Sequence, residues 1–105
     1  MTDKVLILTT TGNEAEARKI AHELVERRLA ACVNIVPRIQ SVYRWEDKVE
    51  TAEEYLLLIK TTKSRGPEVQ AAIRELHSYD LPECVVISVE GGSAQYLKWI
   101  EDSIR

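Results

Sequence analysis

Between Cys32 and Thr62 the chain carries two long strand-forming runs, CVNIVPRIQSVYRW and VETAEEYLLLIKTT, separated only by the charged residues Glu46, Asp47 and Lys48. Two such runs joined by a short polar break form a hairpin with a solvated tip. Strands of globular domains run about 5–6 residues, so a ribbon of this length extends past an ordinary sheet and offers its ends to something else. Alternation places Val33, Ile35, Pro37, Ile39, Tyr43 and Trp45 on one side of the first run, with Pro37 predicted to bend or bulge it. In the second run Tyr55, Leu57 and Ile59 point one way, and Leu56 and Leu58 the other.

The remaining elements fall around this hairpin. Val5-Leu6-Ile7-Leu8 is an unbroken apolar run, as in a strand covered on both faces. Asn13 with Glu16 reads as a capping-box start, and Ala17, Ile20, Ala21, Leu24 and Val25 share one face of a helix reaching about Arg28. A second helix from Ser64 to His77 shows Val69, Ala72, Ile73 and Leu76 at helical spacing, with Pro67 in its first turn. Cys84 to Val89 reads as a fourth strand, and Ser93 caps a last helix bearing Tyr96, Leu97, Ile100 and Ile104. The order βαββαβ plus a terminal helix predicts one domain over 1–105, an α+β ferredoxin-like sandwich with a four-stranded antiparallel sheet and helices on one face. Such a two-layer domain leaves the second sheet face bare, although the first and third strands are apolar on both sides. Oligomerisation is therefore predicted.

Composition narrows the function. Fourteen basic and seventeen acidic residues give a net charge of −3, which supplies no positive field for nucleic acid or an anionic membrane. The opening MTDKVLILTT has too short an apolar core for a secretory or membrane segment, so a soluble cytoplasmic protein is expected. Cys32 and Cys84 are read as reduced, small buried hydrophobes. Glu90-Gly91-Gly92-Ser93 lacks the Walker lysine and the dinucleotide glycine pattern, and no organic cofactor is predicted.

Five ordered blocks carry a family resemblance: RLAACVNIVP at 28–37, SVYRW at 41–45 with Lys48 and Glu50, LLLIKT at 56–61, LHSYDLPE at 76–83 and YLKWI at 96–100. Together they closely resemble the CutA family of divalent-cation tolerance proteins. The resemblance implies a homotrimer of ferredoxin-like subunits, similar to the PII signalling proteins, with sheets facing inward. It also implies a non-catalytic response to copper or another divalent cation. The copper site proposed in some members uses a cysteine near the end of the first strand and a histidine pair; the matching positions here are Thr9 and Leu76-His77, so only His77 carries over. Asp47 stands where many members have glycine.

The stretch HSYDLPEC at 77–84 is the chemically richest. His77, Asp80 and Glu83 are the candidate metal ligands, gathered within or between chains. The competing reading of His77 is a helix-closing residue whose ring reaches the last free carbonyls. Tyr43, Trp45, Lys60 and Tyr79 are candidates for a ligand or intersubunit cleft, Lys60 either reaching solvent or pairing with Glu54 or Glu83. His22 reads as solvated beside Glu23 and Glu26. An RNA-recognition domain would need strand aromatics and a basic surface, and an acylphosphatase-like hydrolase an arginine after the first strand; neither is present. The alternatives that stay open are a PII-like small-ligand regulator and a purely structural trimer.

Overall fold

The computed structural model describes residues 2–105. The elements are β1 (Lys4–Thr11), α1 (Glu14–Glu26), β2 (Cys32–Trp45), β3 (Lys48–Thr62), a 3₁₀ turn at Lys63–Arg65, α2 (Gly66–Leu76), β4 (Val85–Ser88) and α3 (Ala94–Ser103). The four strands form one antiparallel sheet in the order β2-β3-β1-β4, the ferredoxin-like arrangement. Val5 and Ile7 pair with Thr61 and Ile59 on the face that α1 and α2 cover. Ile7, Ile20, Leu24, Leu57, Ile59 and Val69 are fully buried there, each worth about 1.5–3 kcal/mol of transfer free energy.

The helix ends follow local chemistry. Asn13 is extended and its side chain accepts from the Glu16 N–H at 2.8 Å, an N-cap as expected. The reciprocal half of the capping box is absent: the Glu16 carboxylate turns instead to the Ser78 N–H, 3.1 Å away. Helix α1 stops at Glu26, short of the predicted end, and the chain turns through Arg28 at φ 59°. Ser93 caps α3 as predicted, accepting from the Tyr96 N–H.

Helix α3 does not join α1 and α2. Lys4 and Lys60 lie by register on the opposite side from Val5 and Ile59, and both reach α3, Lys4 through Glu101 at 3.3 Å and Lys60 through the Tyr96 hydroxyl at 3.5 Å. With Ile100 and Ile104 packed on Ala31, α3 covers one end of the second sheet face. The rest of that face stays open.

The long hairpin is real and overhangs the sheet. β1 pairs with β3 only from Tyr55 to Thr62, so among the described residues Lys48–Glu54 pairs with no strand but β2, and the molecule measures 44 × 26 × 22 Å. The pairing slips between Val36 and Ile39, where Pro37 and Arg38 oppose the single residue Tyr55 and Arg38 adopts φ 57°. This bulge corrects the predicted face of β2. Val33 and Ile35 pair with Ile59 and Leu57 on the helix side, whereas Ile39, Tyr43 and Trp45 pair with Glu54, Glu50 and Lys48 and share the second face.

At the tip, Trp45 pairs with Lys48 and the two central residues Glu46 and Asp47 have φ of 49° and 64°, the backbone of a type I′ turn. Glycine adopts that conformation without the cost a Cβ brings. Asp47→Gly is expected to stabilise the protein by about 0.5–1 kcal/mol, read as a higher urea midpoint at unchanged slope.

Candidate functional site

The loop after α2 is fixed by His77. Its own N–H donates to the Ile73 carbonyl and closes the helix, but its ring leaves the helix altogether. Nε2 lies 2.6 Å from the Thr10 carbonyl at the end of β1, and Nδ1 accepts the Tyr79 N–H at 3.0 Å. That second bond sets the tautomer: Nδ1 offers its lone pair, and Nε2–H donates to Thr10. The ring side chain is fully buried, with Glu16 Oε2 3.5 Å from Nδ1 and without a hydrogen-bond partner of its own. The expected reach to helix carbonyls is thus replaced by a tie across the fold from α2 to β1. Both ring nitrogens are engaged, so neither is free for a metal ion in this arrangement.

Tyr79 follows from this anchoring. Its ring packs on His77 at 4.6 Å between centroids and its hydroxyl donates to Glu54 Oε2 at 2.9 Å. The phenol passes over Gly12, where an added Cβ would sit 3.0 Å from the Tyr79 oxygen. Gly12 therefore serves space, not backbone freedom. Burial, and then the bond to Glu54, push the Tyr79 phenol up to about 12. The neutral phenol is favoured in the folded chain, so this contribution is complete below the ordinary value near 10 and is lost as pH rises toward 12. In an absorbance titration of phenolate, a step near pH 12 is expected, and Tyr79→Phe is expected to remove it.

Around Tyr79 an open groove of about 710 Å³ runs along the overhanging hairpin, from Glu54 toward Trp45, beside the loop. Tyr43, Trp45 and Tyr79 supply its aromatic wall, and Glu54, Asp80 and Glu83 its carboxylates. The structure thus brings together five residues predicted as site candidates: Tyr43, Trp45, Tyr79, Asp80 and Glu83. Lys60 is not among them. Of its two expected outcomes, the pairing with Glu54 or Glu83 is not seen; the ammonium lies 5.7 Å from the centroid of the Tyr96 ring at the α3 end of the face. Glu54 was weighed in the sequence only as a partner for Lys60. Its signal was a carboxylate in phase with Leu56 and Leu58, on a strand otherwise becoming apolar.

No group of three His, Cys, Asp or Glu side chains among the described residues is placed to hold a metal ion. Within one chain the donors therefore do not fit a chelated transition metal. Cys32 and Cys84 are free and half-buried, and burial followed by the nearby Glu83 charge raises the Cys84 thiol, which suits a packing role.

The strand order, the helix pair on one face, the overhanging ribbon and the groove along it define a ferredoxin-like α+β domain with an open second sheet face. The chain belongs to the CutA1 divalent ion tolerance protein family, whose model matches residues 5–103. It is 44% identical over 98 residues to the divalent-cation tolerance protein CutA of Thermus thermophilus, covering 93% of this chain and 95% of that protein. The chloroplastic CutA protein of Arabidopsis thaliana is 42% identical over 96% of this chain, which spans 56% of that relative's length. The crystal structure of CutA from Xylella fastidiosa superposes with a TM-score of 0.97 at 39% identity, covering 99% of this chain and all of that one.

Proposed function

We propose that this chain is a non-catalytic, cytoplasmic member of its family that assembles as a homotrimer with sheets facing inward, PII-like in architecture, and responds to copper or another divalent cation. The observation that carries the assembly is the second sheet face. Leu6, Leu8, Leu56 and Leu58 are only half-buried, and Val85 and Ile87, in register with Leu8 and Leu6, remain 47% and 44% exposed. A contiguous apolar sheet face of this kind is unusual on a monomer, and copies of the same face can cover one another. No helix among the described residues is long and apolar enough to cross a membrane.

With the His77 nitrogens engaged, the reading places the cation contact on Asp80 and Glu83, both exposed at the groove rim, supplemented by a neighbouring copy. Carboxylates are hard donors, so binding is weak and poorly selective for copper. The PII-like alternative, a small-ligand regulator, is favoured by the groove itself.

Two measurements test this. Sedimentation of the metal-free protein is expected to give three times the 12.0 kDa chain mass. Calorimetric titration with Cu²⁺ is expected to saturate and to weaken about tenfold or more, roughly 1.4 kcal/mol, in the Asp80→Asn/Glu83→Gln variant. A single-chain mass would reject the assembly, and identical heats in the two proteins would reject the cation contact.

A further inference from the structure

We propose that Glu54 is neutralised across the subunit contact by the partner subunit's Lys60, so that the groove is complete only when a second copy of this chain is seated on it. This pairing rests on the trimer reading and gives it an orientation, by naming which end of one sheet face meets which end of the next. Asp80 and Glu83, exposed at the rim, take no part in it.

The acceptor is only half satisfied within its own chain. Glu54 is 7% exposed, its Oε2 accepts from the neutral Tyr79 hydroxyl at 2.9 Å, and none of the ion pairs among the described residues includes it. No Lys, Arg or His lines the groove around it. Covering the groove with another copy removes the last of its water, and one bond from a phenol offsets only part of what a buried carboxylate then costs.

The donor lies on the same strand. In β3, Glu54, Leu56, Leu58 and Lys60 alternate onto the second sheet face. The rise of an extended chain sets Glu54 and Lys60 about 20 Å apart, too far to meet within one molecule. Lys60 is half-buried and also lacks a carboxylate; its ammonium has the uncharged Tyr96 hydroxyl at 3.5 Å and that residue's ring. Lys48 is the other cation in this row. It stands exposed at the hairpin tip opposite Trp45, where it keeps its water.

A closed ring of copies joins two different patches of one surface, each subunit offering one patch to the copy before it and the other to the copy after. The second face of β3 has the matching polarity: a negative end at the groove, an apolar middle at Leu56 and Leu58, and a positive end beside α3. Setting the positive end of one copy against the negative end of the next satisfies both charges at every interface. The same step buries the apolar middle.

The test is sedimentation of the full chain in the presence of EDTA, over a dilution series, for the parent, Glu54→Lys, Lys60→Glu and the double variant carrying both. Each single change sets like charges against each other and is expected to weaken assembly at least about tenfold. The double variant restores opposite signs at every contact, and its assembly is expected to return to within about threefold of the parent. Far-UV circular dichroism checks the fold. If Glu54→Lys folds poorly, Glu54→Gln, Lys60→Met and the two together carry the same test, the double variant being expected to assemble no more weakly than either single one. A charge-swapped double variant as dissociated as the singles, or neutral losses that add, would overturn the pairing. So would a loss in Glu54→Lys with none in Lys60→Glu, which would hand the role to another cation such as Lys48. A parent that sediments as a single chain rejects the trimer reading itself, whereas a parent trimer indifferent to both single changes leaves that reading standing and overturns only the pairing.

Discussion

His77→Ala is expected to lose about 3 kcal/mol of folding stability, because a buried acceptor and a neighbouring donor are left unpaired and a cavity opens where the ring was. The Thr10 carbonyl and the Tyr79 N–H are the two groups stranded. Urea unfolding at one fixed protein concentration measures the loss, the fixed concentration being needed for a chain proposed to self-associate. His77→Gln should recover part of it, since an amide carries both a donor and an acceptor. Cu²⁺ affinity is expected to stay within about twofold of the parent in His77→Ala, well inside the 1.4 kcal/mol that a tenfold change represents. Collapse of Cu²⁺ binding with little change in stability would reverse the assignment and make the imidazole a ligand.

Leu58→Glu carries the second large effect. Leu58 alternates onto the second sheet face beside Leu8 and Asn34, away from the helices, and is half-buried in the single chain. A glutamate there remains solvated in an isolated subunit. Covered by other copies it would be a buried charge without a partner, a penalty of several kcal/mol in each chain. Sedimentation is therefore expected to fall from the proposed trimer mass to that of one 12.0 kDa chain, with far-UV circular dichroism showing the sheet and helices retained. A trimer that persisted in this variant would put the subunit contact elsewhere.

The strands and helices were legible because their apolar residues recur at periods that only one kind of element satisfies. β2 matches its predicted bounds, and the unbroken run from Val5 to Leu8 forms the centre of β1. What escaped was whatever depended on counting or on distant partners. Pro37 announced an irregularity, yet no local feature says that two residues there oppose one, and that count decides the face of Tyr43 and Trp45. Lys60 was read as reaching solvent or pairing with Glu54 or Glu83, but α3 folds back onto the second face and brings Tyr96 to it. His77 does close its helix as read, but the partner of its ring, Thr10, lies 67 positions earlier and gives no local signal. The groove was half visible: its aromatics and acids were singled out, while the burial of Glu54 needed the Tyr79 hydroxyl in place.

The bulge at Pro37 and Arg38 has an evolutionary corollary. It acts as a parity switch in the middle of a single strand: residues before it serve the core, and residues after it serve the groove. Side chains on the distal ribbon can drift one at a time, with each exchange judged on its own merits. The spacing between Val36 and Trp45 cannot drift in the same way. Loss or gain of a single codon between Val36 and Tyr43 would rotate Tyr43 and Trp45 to the wrong side together, leaving a folded hairpin whose groove lacks its aromatic wall. The length of this interval is therefore more tightly bound than the identity of any one side chain within it.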